Sequence, residues 1–148
     1  MKRILLYIVL VLTGLILIGT IQVSAQNKMK AVHMSAENVK WEQLKGAPPG
    51  VMSANLWGNS SKGAYGGLTK FPAGFKSPLH YHTYDIKIVV IKGAYTYKGV
   101  KYGPGSYLSI PARDQHVSGG ADDSETIFFI EQPGKFDVVP VEAPKKKS

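Results

Sequence analysis

Between residues 51 and 130 the chain is a succession of short runs rich in Val, Ile, Tyr, Phe and Thr, cut at close intervals by glycine and proline. The runs cover residues 51–57, 64–71, 78–82, 86–92, 94–97, 106–110 and 126–130. β-Branched and aromatic side chains suit the half-buried surface of a pleated sheet. The breakers are Gly58-Asn59, Pro72-Ala73-Gly74, Gly93, Gly99, Gly103-Pro104-Gly105, Pro111 and Gly119-Gly120, and each stops a strand before it grows long. Nowhere after residue 25 does an apolar stripe recur at the helical period. This spacing predicts an all-β domain, a small barrel or sandwich.

The two ends read differently. Lys2 and Arg3 precede an almost wholly apolar stretch at residues 4–18, and Val23-Ser24-Ala25 then offers small residues of the kind a signal peptidase reads. Residues 1–25 are therefore expected to be a secretory signal cleaved after Ala25, which makes the product periplasmic or secreted, with no stable membrane anchoring. The competing reading is a retained anchor, because residues 4–23 are about long enough to span a bilayer. Thr13, Gly14, Gly19, Thr20 and Gln22 weaken it. Residues 26–50 are polar and weakly patterned, an N-terminal arm able to lay one strand over the domain through Trp41 and Leu44. The expected division is signal 1–25, arm 26–50, barrel 51–140 and basic tail 141–148.

The chain has no cysteine, which removes a lipoprotein anchor, disulfides and thiolate chemistry. The roughly 120 residues left after cleavage suffice for one domain, held by its own core. Any metal must be bound through histidine, carboxylate or water. The formal charge of +8 falls to +6 once Lys2 and Arg3 are removed. The lysines are scattered apart from the terminal run Lys145-Lys146-Lys147, so nucleic-acid binding is not expected.

Four histidines are present, at positions 33, 80, 82 and 116. His80 and His82 flank Tyr81, and residues two apart on a strand point to the same face. Both imidazoles can then meet one ion, although two histidines at this spacing are also compatible with simple hydrogen bonding. Imidazole suits zinc, nickel, copper and iron alike. His33 lies in the arm with no partner pattern and reads as solvated.

The surroundings of these histidines resemble a known family. Gly74-x5-His80-x-His82 followed by Gly93 resembles the first cupin motif, and Gly105-x5-Pro111-x-Arg113-x2-His116 resembles the second. The tail from Phe128 to Asp137 is similar to that of small secreted bacterial cupins of unassigned function. A more distant likeness is to the zinc-binding cupin domain of anti-sigma factors. The resemblance implies a small jelly-roll-like β-barrel of six to eight strands with one divalent metal (Zn, Fe, Mn or Ni) inside its mouth. His80, His82 and His116 fall on the family's three histidine ligands. It also allows a homodimer, in which the arm exchanges between subunits.

The chain departs from the family pattern where a fourth ligand, a glutamate, is usual. That place falls on Ile86 or Lys87. Asp85 is the nearest carboxylate, either a fourth ligand or a turn-capping residue. Arg113 stands where the motif has glycine, and Gly120 where it has asparagine. Without a carboxylate the site is three neutral imidazoles around an ion that keeps its full charge and open positions. Tyr84, Tyr95, Tyr97 and Arg113 are candidates for a ligand pocket, with core or surface packing as the alternative for each. No general base stands out: Glu42, Asp85 and Glu131 qualify by position alone, so catalytic residues stay unassigned. Three functions fit: a module binding a small molecule at the metal, a metal-dependent enzyme of dioxygenase or isomerase type, and a structural barrel with merely hydrogen-bonded histidines. Turnover separates the first two, and metal content separates both from the third.

Overall fold

The computed structural model describes residues 31–142, so the expected signal segment and the terminal lysine run lie outside the described residues. Among the described residues no helix is long and apolar enough to cross a membrane, and the one helical element is a single 3-10 turn at Ala36–Asn38. The strands are β1 (Glu42–Gln43), β2 (Met52–Gly58), β3 (Tyr65–Phe71), β4 (His80–Tyr81), β5 (Ile86–Lys92), β6 (Tyr95–Tyr97), β7 (Val100–Tyr102), β8 (Tyr107–Ile110), β9 (Ser118–Gly119), β10 (Thr126–Gln132) and β11 (Val139–Pro140). All pairings are antiparallel.

One layer is a six-stranded sheet ordered β1-β2-β3-β10-β5-β8. The other joins β11-β4 to β9-β6-β7 through the isolated bridges His80–His116 and Lys76–Gly119. Sequence-distant strands lie side by side in both layers, as in a jelly roll, which agrees with the expected all-β architecture.

Strand alternation builds the core. Ile86, Ile88 and Val90 of β5 point inward, as do Thr126, Phe128, Ile130 and Gln132 of β10. They meet Tyr65 and Phe71 of β3, Leu108 and Ile110 of β8, and Tyr95 from the smaller layer. Phe128 sits edge-on to Phe71 at 4.9 Å and to Tyr95 at 5.0 Å, which ties the two layers together.

Gly93 turns the chain from one layer to the other. Its φ is +72°, and a Cβ there would lie 2.6 Å from the Glu125 carbonyl oxygen, so the position admits only glycine without a backbone shift. Before β2 the chain contributes β1 to the edge of the large sheet, and Leu44 packs on the core. The Gln43 side chain closes the following loop, donating to the Pro48 carbonyl at 3.1 Å and accepting from the Gly50 amide at 3.1 Å.

Candidate metal centre

His80 and His116 are directly opposed across the bridge and exchange both backbone bonds: the His80 amide donates to the His116 carbonyl at 3.0 Å, and the His116 amide returns 2.8 Å. Opposed residues of an antiparallel pair project to one face. His82, two residues on, joins them, and its carbonyl accepts the Arg113 amide at 2.8 Å. All three rings are buried. Their centroids lie 4.4 Å (His80–His116), 5.1 Å (His80–His82) and 5.6 Å (His82–His116) apart. Each offers one nitrogen, and these nitrogens all lie within 4.8 Å of one another.

The ring protonation follows from the partners. Nδ1 of His80 faces the Pro78 carbonyl at 2.9 Å, Nδ1 of His82 the Asp137 carbonyl at 2.5 Å, and Nδ1 of His116 the Asp114 carbonyl at 2.9 Å. A carbonyl oxygen only accepts, so every Nδ1 carries the proton and donates it. In the neutral ring the lone pair is then left on Nε2. Nε2 of His116 is buried and has no hydrogen-bond partner. A buried polar atom without a partner costs about 1–3 kcal/mol. Backbone-anchored imidazoles with free Nε2 atoms are the usual arrangement of metal-ligating histidines. The three side chains thus fit a divalent ion.

Electrostatics favour the same state. Burial pushes the His82 imidazole down to about 4, opposed by its bond to Asp137 and reinforced by the neighbouring rings. Burial likewise lowers His116. Both are neutral, ligand-ready bases at pH 7.

This carries a pH dependence for the metal-free protein. The folded pKa of His82 lies below the unfolded value near 6.5, so below that pH the unfolded chain takes up a proton that the fold refuses. Stability is complete above about 6.5 and falls as pH drops toward 4, by on the order of 3 kcal/mol for this group. Denaturant unfolding of metal-free protein between pH 7.5 and 4 measures it. A flat profile would show that His82 is not held neutral.

A family profile described as "Domain of unknown function (DUF4437)" matches residues 32–147. The chain belongs to the DUF4437 family. No curated protein matches it. Among solved structures it is similar to an RmlC-like cupin from Ralstonia eutropha JMP134, at 22% identity over 72% of this chain and 70% of that one, with a TM-score of 0.61. It is also similar to the polyketide cyclase RemF of Streptomyces resistomycificus, at 20% identity over 79% and 88%, TM-score 0.62. A third likeness is to the complex of SigE with the anti-sigma ChrR from Rhodobacter sphaeroides, at 23% over 66% and 51%, TM-score 0.54. The DUF4437 chain therefore has the fold of the cupin superfamily, as its two motifs imply.

The remaining site candidates of this DUF4437 chain divide. Asp85 does not join the histidines: it is exposed, and its Oδ1 accepts the Ala112 amide at 2.6 Å, tying two loops together. Arg113 is exposed, and its backbone takes φ +64°, the left-handed conformation that explains why the motif places glycine there. Tyr84 is also exposed, with its ring laid over Gly134, where a Cβ would come within 2.3 Å of it. Tyr97 stands beside His116 at 5.1 Å and donates its hydroxyl to Asp114, whose carboxylate Lys98 also holds at 2.7 Å. It steadies the segment carrying the His116 partner. Ile86 points into the core, whereas Lys87 points outward to Glu131, so neither replaces the missing ligand. Glu131 lies on the sheet's outer face, and Glu42 and His33 are exposed.

Tyr95 alone of the four pocket candidates lines the cavity beside the three histidines, a space of about 280 Å³. His80 and His82 form part of its wall, with Ser77, Ser118 and Thr69 as further polar groups. The rest is mainly apolar, including Phe71, Phe75, Ile88, Phe128 and Phe136, and among the described residues no charged side chain contributes. Sequence reasoning missed Ser77, Phe75 and Phe136, and also Asp114 and Asp137, which act through backbone carbonyls that leave no side-chain signature.

Proposed function

We propose that this DUF4437 protein is an exported metal-binding cupin that holds one divalent ion on His80, His82 and His116 and binds a small molecule in the adjoining cavity. The partnerless buried Nε2 of His116, beside two rings anchored in the same way, carries the reading. Three neutral ligands leave the ion its full charge, so it favours an oxygen donor able to release a proton on binding. Such an ion supplies Lewis acidity. The chain's own residues orient the imidazoles, surround the ligand with aromatic and aliphatic walls and exclude charged groups. This supports a ligand with an acidic oxygen on an otherwise apolar body, such as a phenol.

Cobalt-loaded protein titrated with 2-naphthol, and separately with malonate, tests the reading through the cobalt absorption bands. Naphthol is expected to perturb them and malonate to do so at least tenfold more weakly. Bands unmoved by naphthol would argue against a phenol-type ligand at the metal. A second reading, turnover, draws support from the open three-ligand arrangement and from the likeness to a polyketide cyclase. Ligand consumption that disappears in His116→Ala would establish it.

Export rests on the sequence of residues 1–25. The protein isolated from its native compartment is expected to begin at Gln26. A chain that retains Met1 through Ala25 would instead support the anchor reading.

A further inference from the structure

The three rings are anchored in two different ways. Nδ1 of His80 donates to the carbonyl of Pro78, and Nδ1 of His116 to that of Asp114. Each of these acceptors lies two residues before its ring, so the anchor comes with the ring's own segment. Nδ1 of His82 donates instead to the carbonyl of Asp137, 55 residues along the chain. The pairing of β4 also stops at Tyr81, and the chain bends at Thr83 and Tyr84. His82 therefore depends on a distant segment for the direction of its imidazole, as the other two do not.

Asp137 grips two consecutive residues. Its carbonyl takes the His82 proton, while its carboxylate accepts the Thr83 amide on Oδ1 at 3.0 Å and the Thr83 hydroxyl on Oδ2. Hydrogen bonds to an ionised carboxylate are stronger than those between neutral groups. On one side the Phe136 amide donates to the Ser60 carbonyl at 2.7 Å, and on the other Val139 and Pro140 pair with β4. Asp137 itself belongs to no strand, so its clasp on Thr83 sets where its carbonyl points. Phe136, Val138 and Pro140 line the cavity, whereas Asp137 between them does not, and its carboxylate does not join the three converging nitrogens. Its influence on the site runs through His82.

We propose that Asp137 is a positioning residue for the three-histidine site: its carboxylate, clasped on Thr83, holds its own carbonyl against Nδ1 of His82 and so keeps Nε2 of that ring free and aimed at the other two. The inference rests on the reading of the three histidines as metal ligands, but the state of the His82 ring is a property of the metal-free chain and is tested separately. Partners of this kind fix the tautomer and orientation of a ligating histidine, and their loss typically weakens metal binding 10- to 100-fold.

Two readouts on Asp137→Ala and Asp137→Asn test it. In metal-free protein at pH 7.5, long-range proton–nitrogen NMR of 15N-labelled histidine reports each ring's tautomer. His82 of the parent is expected to hold its proton on Nδ1 alone, whereas Asp137→Ala should populate both tautomers at His82 and leave His80 and His116 as they were. Cobalt titration should show binding weakened roughly 10- to 100-fold in Asp137→Ala, with shifted absorption bands. The asparagine amide can still accept the Thr83 amide and meet its hydroxyl, so Asp137→Asn should keep the parent tautomer and bind cobalt within about threefold of the parent. Thr83→Val removes only the hydroxyl bond and should move both readouts the same way by a smaller amount, which decides the matter if the alanine variant does not fold. An unchanged His82 tautomer in folded Asp137→Ala, or in Thr83→Val where the alanine variant fails, overturns the proposal. So does an asparagine variant as impaired as alanine, because the carboxylate would then act by its charge. A parent that binds no cobalt overturns the metal reading instead, and the tautomer comparison still decides whether Asp137 orients the ring.

Discussion

His116→Ala is expected to reduce metal content from one divalent ion per chain to less than a tenth, measured after equilibration with metal and removal of excess. The substitution removes one of the three nitrogens proposed as ligands, and the two that remain lie on a single segment. Zinc sites of four ligands are worth roughly 10–16 kcal/mol, so one ligand corresponds to about 3–4 kcal/mol, two to three orders of magnitude in affinity. Metal-free His116→Ala should be no less stable than the metal-free parent by much, because the deleted ring carries an unsatisfied Nε2 whose burial is itself unfavourable. This divergence, a large loss in binding against a small loss in apo stability, separates a metal ligand from a packing histidine. His33→Ala, exposed and outside the site, should leave metal content unchanged.

Phe128→Ala should destabilise the fold by about 3–5 kcal/mol, the usual cost of emptying a phenylalanine site in a core. Phe128 is 2% exposed and lies on β10, between β3 and β5 in the large sheet, with its ring edge-on to Phe71 and Tyr95. The loss therefore removes hydrophobic burial and the contact between the layers together. For a domain of this size the midpoint of thermal unfolding should fall by roughly 10–25 °C. Phe128→Leu, which keeps most of the volume, should cost less than about 1.5 kcal/mol. Phe128 also lines the cavity, so the alanine variant should enlarge the ligand space while leaving the histidines in place. A near-neutral Phe128→Ala would mean that the core is not packed as described.

The parts of the architecture legible in the sequence are those whose signal is local. The seven β-branched and aromatic runs all contain strands, because alternation along β5 and β10 is enough to set one face inward. His80 and His82 were legible for the same reason. β7, β9 and β11 are two or three residues long and owe their existence to distant partners, so no local propensity announces them. β11 even contains Pro140, which an edge strand tolerates. The third histidine of the candidate site, His116, is legible through the motif rather than through periodicity. Its convergence with His80 depends on a bridge between segments 36 residues apart, which pattern alone does not supply. Asp85 illustrates the limit: residue type qualified it as a ligand, whereas the backbone amide of Ala112 claims its carboxylate. Arg113 shows the converse, since its left-handed backbone accounts for the glycine it replaces.

One ion meeting three Nε2 atoms is the proposal on which the function depends, and diffraction from cobalt-loaded crystals at the cobalt edge tests it most directly. The anomalous difference map should hold one strong peak within about 2.0–2.2 Å of Nε2 of His80, His82 and His116. A peak bound through Nδ1, a peak that omits His116, or crystals of fully loaded protein with no peak among the three rings would contradict it.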